Sequence, residues 1–145
     1  MTTMNKRTPP RAKGFRRTRN DHATETAEDY VEAIAEIEQE LGKCRAADLA
    51  RLFDVSHVTV AKTLSRLHAE GLVEMQPYAP VVLTRCGRQL ATQSRQRHDL
   101  VYQFLLSIGV DEETARIDAE GIEHHVSKTT LNCFRNVIDK VSETK

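Results

Sequence analysis

Residues 54–71, DVSHVTVAKTLSRLHAEG, decide the fold. Val60, Leu64 and Leu67 recur at i, i+4 and i+7, the inward face of a helix that starts at Ser56 as N-cap and ends at Gly71. That register turns His57, Thr59, Lys62, Thr63 and Arg66 to solvent, with no acid among them before Glu70. Such a face suits DNA. Lys62 and Arg66 offer charge to phosphates, while Ser56, His57 and Thr59 lie near the helix start, where short polar side chains reach base edges in the major groove. Just upstream, 46–53 reads as a short helix. Asp54 then occupies the tight turn, and aspartate tolerates left-handed backbone better than most residues. Downstream, 72–75 and 81–84 read as short strands around Gln76-Pro77-Tyr78-Ala79-Pro80, a connection that cannot continue a ladder. Helix, turn, helix and hairpin together predict a winged helix-turn-helix.

Working outward, Tyr30, Ile34, Ile37 and Leu41 repeat at helical spacing from Glu28 onward, and Gly42 is placed to stop that run. After the hairpin the pattern is helical over 88–107, 112–126 and 129–141, with a break at Gly109. The expected fold is mainly α: an N-terminal winged helix-turn-helix with a small β-hairpin wing, followed by an all-α dimerisation region. The predicted divisions are a basic, flexible arm over 1–24, a DNA-binding domain over 25–86 and a helical metal-binding and dimerisation domain over 87–145.

Charge and composition narrow the function classes. Lys+Arg 21 balance Asp+Glu 21, yet residues 1–20 carry Lys6, Arg7, Arg11, Lys13, Arg16, Arg17 and Arg19 with no acid. A basic segment without an apolar period is predicted not to pack, and its use would be attraction to a polyanion. Cys44, Cys86 and Cys133 are odd in number and form no CxxC pair, which argues against a disulfide framework or a thiolate metal site. No apolar run approaches the ~20 residues of a membrane span, and no signal-peptide pattern opens the chain, so a cytoplasmic protein is expected. There is no HExxH string and no Gly-rich phosphate loop, so an enzyme acting on a small-molecule substrate is not expected.

Ionisable residues supply the remaining signal. Asp29 and Glu32 lie three apart on one face of the first helix, with Glu25 and Glu36 beside them. Glu120, Glu123 and His124 fall at i, i+3 and i+4 in AEGIEHH (residues 119–125). His98 shares its helix face with Ala91, Val101 and Leu105 and so points inward. Read singly, these are a solvated acidic face and a core histidine. Brought together, four carboxylates and two imidazoles would hold a charge no core tolerates unpaired. Arg97 and Arg116, the nearest cations, do not share those faces. One dication, or a pair bridged by carboxylates, would neutralise the cluster, and oxygen-rich ligation without thiolate suits manganese or iron(II) better than copper or zinc.

With these motifs, the chain resembles the diphtheria-toxin-repressor family of metal-dependent transcription factors. The resemblance runs over about 28–141 and is carried by EDYVE (28–32), VAK (60–62) with Leu64 and Arg66-Leu67, VVLT (81–84), Arg97-His98 with Phe104-Leu105, and EGIEHH (120–125). It implies metal ligands at Asp29, Glu32, His98, Glu120, Glu123 and His124. Relatives that sense iron carry Met at the Asp29 position and Cys at the Glu120 position, so carboxylates at both resemble the manganese branch. The resemblance further implies a homodimer that binds double-stranded operator DNA and, when loaded with manganese, represses manganese-uptake genes. Iron(II) sensing and metal-independent regulation are the alternatives. Ala79-Pro80 replaces the Arg-Gly common at the wing tip, which removes a cation from the place where a phosphate contact is expected.

Overall fold

In a computed structural model, which describes residues 10–144, six helices and one hairpin follow in order: α1 (Pro10–Leu41), α2 (Ala46–Phe53), α3 (His57–Ala69), β1 (Val73–Glu74), β2 (Val82–Leu83), α4 (Arg85–Ser107), α5 (Glu112–Ile122) and α6 (Lys128–Glu143). Among the described residues no helix is long and apolar enough to cross a membrane.

The winged motif forms as its sequence dictates. Ser56 caps α3 by accepting the Thr59 backbone N–H at 3.1 Å, and Val60, Leu64 and Leu67 are buried. Asp54 takes the left-handed conformation (φ 53°, ψ 51°) that the tight turn requires. The strands are shorter than expected. Only Val73↔Leu83 and Glu74↔Val82 pair, and an isolated antiparallel bridge, Cys44↔Val81, adds a third strip of backbone. Pro77 and Pro80 keep the tip out of the ladder.

Two cores are strung on α4. The first gathers Tyr30, Val31, Ile34 and Ile37 of α1 with Leu49, Val60, Leu64, Leu67, Val73, Leu83 and Ala91. The second joins Val101, Leu105, Ala115, Ala119 and Leu131, with Phe104 stacked on Phe134 at 3.9 Å. Leu41, counted from its spacing as a core residue, is instead 64% exposed, because the chain leaves the helix at Gly42 (φ 81°).

Gly87, in the first turn of α4, seats that spine against the wing. A Cβ there would lie 2.1 Å from the Leu72 carbonyl oxygen, and Thr84 fixes the same corner by donating to the Gly71 carbonyl at 2.6 Å. Gly87→Ala is therefore expected to cost about 1–3 kcal/mol through forced backbone movement, read as a lower midpoint in urea unfolding. An unchanged midpoint would show that the corner yields freely.

The N-terminal arm departs from expectation. Residues 1–9 lie outside the described residues, but 10–24 are helical, as the start of α1. Lacking an apolar period, this stretch cannot bury a face. It contains good helix formers, however, with Pro10 in the tolerated first position, and a helix already nucleated by packing at residues 27–37 propagates outward at little cost.

Candidate metal centre and DNA-reading face

Three segments bring the acidic and imidazole groups together. Asp29 and Glu32 project from α1 and His98 from α4, while Glu120 lies on α5 and Glu123 caps its C-terminus. His124 differs from its helical expectation. The helix ends at Ile122, the His125 N–H reaches back only to the Ile122 carbonyl at 3.0 Å, and His124 sits in the turn that leads to the Ser127 cap of α6. That turn buries it.

Glu123 stands at the centre. Its side chain is fully buried, with Oε2 3.6 Å from His98 Nδ1 and Oε1 3.2 Å from His124 Nε2. His124 Nε2 also faces Asp29 Oδ1 at 3.2 Å, and His98 Nδ1 faces Glu120 Oε1 at 3.4 Å. Two donor sets result: His98, Glu120 and Glu123 on one side, and Glu25, Asp29 and His124 on the other, with Glu123 touching both. Glu32 lines the cavity beside the first set, together with Glu36, His98 and Glu120.

The electrostatics show a site under tension. Both Glu123 oxygens, Glu32 Oε1 and His98 Nδ1 are buried without a hydrogen-bond partner, an arrangement expensive to leave unsatisfied. Burial pushes the Glu123 carboxyl up. Burial, then repulsion from Glu123 and Glu120, raises Glu32 to about 7 against the pull of Ser94. Burial works against the His124 imidazolium, but the carboxylates of Asp29, Glu123 and Glu28 outweigh it and push that group up to about 12. Protons thus stand in for missing positive charge. The buried, partnerless carboxylate oxygens and the imidazole nitrogens beside them fit a divalent cation.

Two residues that the sequence reading did not assign to the site hold this centre from behind. Glu28, 2% exposed, accepts from or shares a proton with His124 Nδ1 at 2.7 Å through Oε2, and Arg97 Nη2 lies 2.5 Å from its Oε1. Burial disfavours the Glu28 anion, yet His124 and Arg97 hold its pKa below the ordinary range. The expectation that no cation approaches the cluster is thereby corrected for Arg97. It reaches the back of the site by way of Glu28, a placement that helical spacing alone could not disclose. With Nδ1 so engaged, His124 offers Nε2 to the centre.

On the DNA-reading face, His57, Thr59, Lys62 and Arg66 are exposed and Thr63 is half-buried. Ser56 spends its hydroxyl on the cap and on Thr59 Oγ1 at 3.0 Å, and Arg66 lies 3.7 Å from Glu70. Val58, not singled out beforehand, is 65% exposed on the same helix.

Comparison with known proteins agrees across both halves. The model of the iron dependent repressor N-terminal DNA binding domain matches residues 22–81, and that of the iron dependent repressor metal binding and dimerisation domain matches 84–144. The transcriptional regulator MntR of Escherichia coli O157:H7 is 51% identical over 122 residues, 84% of this chain and 79% of that protein. The HTH-type transcriptional regulator MntR of Bacillus subtilis (strain 168) is 34% identical over 120 residues, 83% of this chain and 84% of that one. A solved structure described as a manganese-dependent transcriptional repressor complex with manganese superposes with a TM-score of 0.69 at 28% identity, covering 78% of this chain. The chain spans only 52% of that repressor's length.

Proposed function

The chain belongs to the iron-dependent repressor family of transcriptional regulators, and on that premise we propose that it is a manganese-responsive repressor whose six ligands are Asp29, Glu32, His98, Glu120, Glu123 and His124. The observation that carries this reading is Glu123, fully buried, with one carboxylate oxygen turned to each imidazole and neither satisfied. Glu123, with one oxygen toward each imidazole, would be able to serve one dication or a pair. Hard carboxylates at 29 and 120 favour manganese over softer metals.

A bound dication supplies the positive charge that the carboxylates lack and clips their segments together. Asp29 and Glu32 ride on α1, whose buried face packs against the helix-turn-helix, whereas Glu120, Glu123 and His124 belong to the half that the family uses to dimerise. Mutual repulsion lets these halves separate; neutralisation holds them at the spacing that two recognition helices of a homodimer need for successive major grooves. Titrating operator binding of the chelator-stripped protein with manganese, iron(II) and zinc tests the reading. Manganese is expected to drive binding at the lowest occupancy, and equal binding without any metal would overturn it.

For the operator contacts we assign Ser56, His57, Thr59, Lys62, Thr63 and Arg66, with Val58 placed to touch a thymine methyl. Lys62→Ala is expected to weaken specific and nonspecific binding alike and to flatten the salt slope by about 1, as for a phosphate contact. A changed operator preference with an unchanged slope would mean that Lys62 reads bases instead.

Metal uptake must expel protons. His124 retains one up to about pH 12, Glu32 one up to about pH 7, and the raised Glu123 carboxyl adds to them, so manganese affinity is expected to climb with pH, more steeply below 7 than above it. In the metal-free state the two groups act oppositely on stability. The raised His124 value stabilises the fold fully below its unfolded pKa, and that gain fades only as pH climbs through about 12. The raised Glu32 value removes stability between 4.5 and about 7. Isothermal titration in buffers of different ionisation enthalpy counts the protons; a pH-independent affinity would contradict the assignment.

A further inference from the structure

We propose that His22, Glu25 and His125 form a second divalent-cation site, of zinc-type chemistry, that pins the forepart of α1 to the turn after α5. His22 and Glu25 are i, i+3 on one face of α1 and His125 comes from the turn after α5, and all three donor atoms lie within 4.8 Å of one another. Glu25 Oε2 is 3.4 Å from His22 Nδ1 and 3.3 Å from His125 Nε2. Those separations exceed good hydrogen bonds. They match the donor-to-donor edge of about 3.3 Å that tetrahedral zinc sets at its usual bond lengths of about 2.0–2.1 Å. The imidazoles meet edge-on, with centroids 5.5 Å apart and planes at 73°, which lets both direct a nitrogen at one point. Independently, Arg17 Nη2 donates to the His125 carbonyl at 3.2 Å, tying the same two segments together.

Two imidazoles and one carboxylate make a borderline-soft, three-donor set, for which water would be the fourth ligand, unlike the oxygen-rich centre beside it. It carries one anionic ligand, with the Arg17 guanidinium nearby, against four carboxylates in the six-residue centre. It therefore fills second, at higher metal levels. Glu25 also lies within reach of Asp29 and His124, so occupancy of the two sites is felt at a shared wall, and the basic segment holding Arg11, Lys13, Arg16 and Arg17 becomes fixed relative to the dimerisation half.

This inference needs the six-residue centre only as a separate site, and the test keeps the two apart. Cobalt(II), a spectroscopic substitute for zinc, is added to the chelator-stripped full chain and to His22→Ala, a change at an exposed helical position that favours the helix. The intact chain is expected to show the strong visible bands of four-coordinate cobalt and His22→Ala to lose them, with zinc capacity in equilibrium dialysis lower by one ion per subunit. Manganese binding, followed by paramagnetic resonance, is expected to be the same in both. Identical cobalt bands and zinc capacity in the two proteins, or no four-coordinate bands in the intact chain, would overturn the second site. Loss of manganese binding by both with the cobalt difference intact would remove the six-residue assignment and leave this one standing.

Discussion

Glu123→Gln is expected to abolish manganese-dependent operator binding while making the metal-free protein more stable. The carboxylate is fully buried, its two oxygens approach different imidazoles and neither is satisfied. Removing its charge takes away the carboxylate that faces both donor sets, and a loss of manganese affinity of at least about 100-fold is expected, beyond what a supporting residue behind a ligand would cost. The same change relieves an ionisation that burial already opposes. Gain at the expense of function is the usual trade at a strained site, here about 0.5–2 kcal/mol. Thermal unfolding in chelator and manganese titration, run on one preparation, read both. A variant that keeps its manganese response would remove Glu123 from the ligand set.

Replacing Glu28 by Leu should rank next in effect, although that carboxylate faces away from the donor sets. Glu28 orients His124 through Nδ1 and is itself balanced by Arg97. Leu removes the acceptor and leaves the ring free to turn, so manganese affinity is expected to fall about 10–100-fold, the range for groups behind a metal-binding histidine. Glu28→Gln retains an acceptor oxygen and should recover most of the loss. Equal loss in both variants would make Glu28 a charge contributor and not an orienting residue. Arg97 Nε and Nη2 are buried behind Glu28, so thermal unfolding of both variants is measured alongside, to separate loss of affinity from loss of fold.

The winged half was legible because its signals are local. Val60, Leu64 and Leu67 fix the helix register, Ser56 its start, and Asp54 the turn, and each depends on neighbours a few residues away. The sequence also brought the six ionisable residues into one hypothesis, since spacing puts Asp29 with Glu32 and Glu120 with Glu123. Packing decided the rest. The Glu28–His124 contact spans 96 positions and Arg97 closes it from a third segment, so periodicity along any single helix is blind to it. His124 was expected on α5 but lies beyond it, because the chain must reverse within a few residues to reach the Ser127 cap. The helicity of 10–24 was hidden for a related reason: an absent apolar face removes burial, not helicity, when a packed helix lies directly downstream.

Coupling between metal and operator is the claim on which the functional reading depends, and linkage gives it a direct measure. Manganese affinity is determined with and without saturating operator DNA, at fixed pH and salt. If the dication holds the two halves in the DNA-binding arrangement, operator must tighten manganese binding by the factor that manganese tightens operator binding, about 5- to 150-fold for a coupling of about 1–3 kcal/mol. Manganese affinity that is the same in both conditions would contradict it.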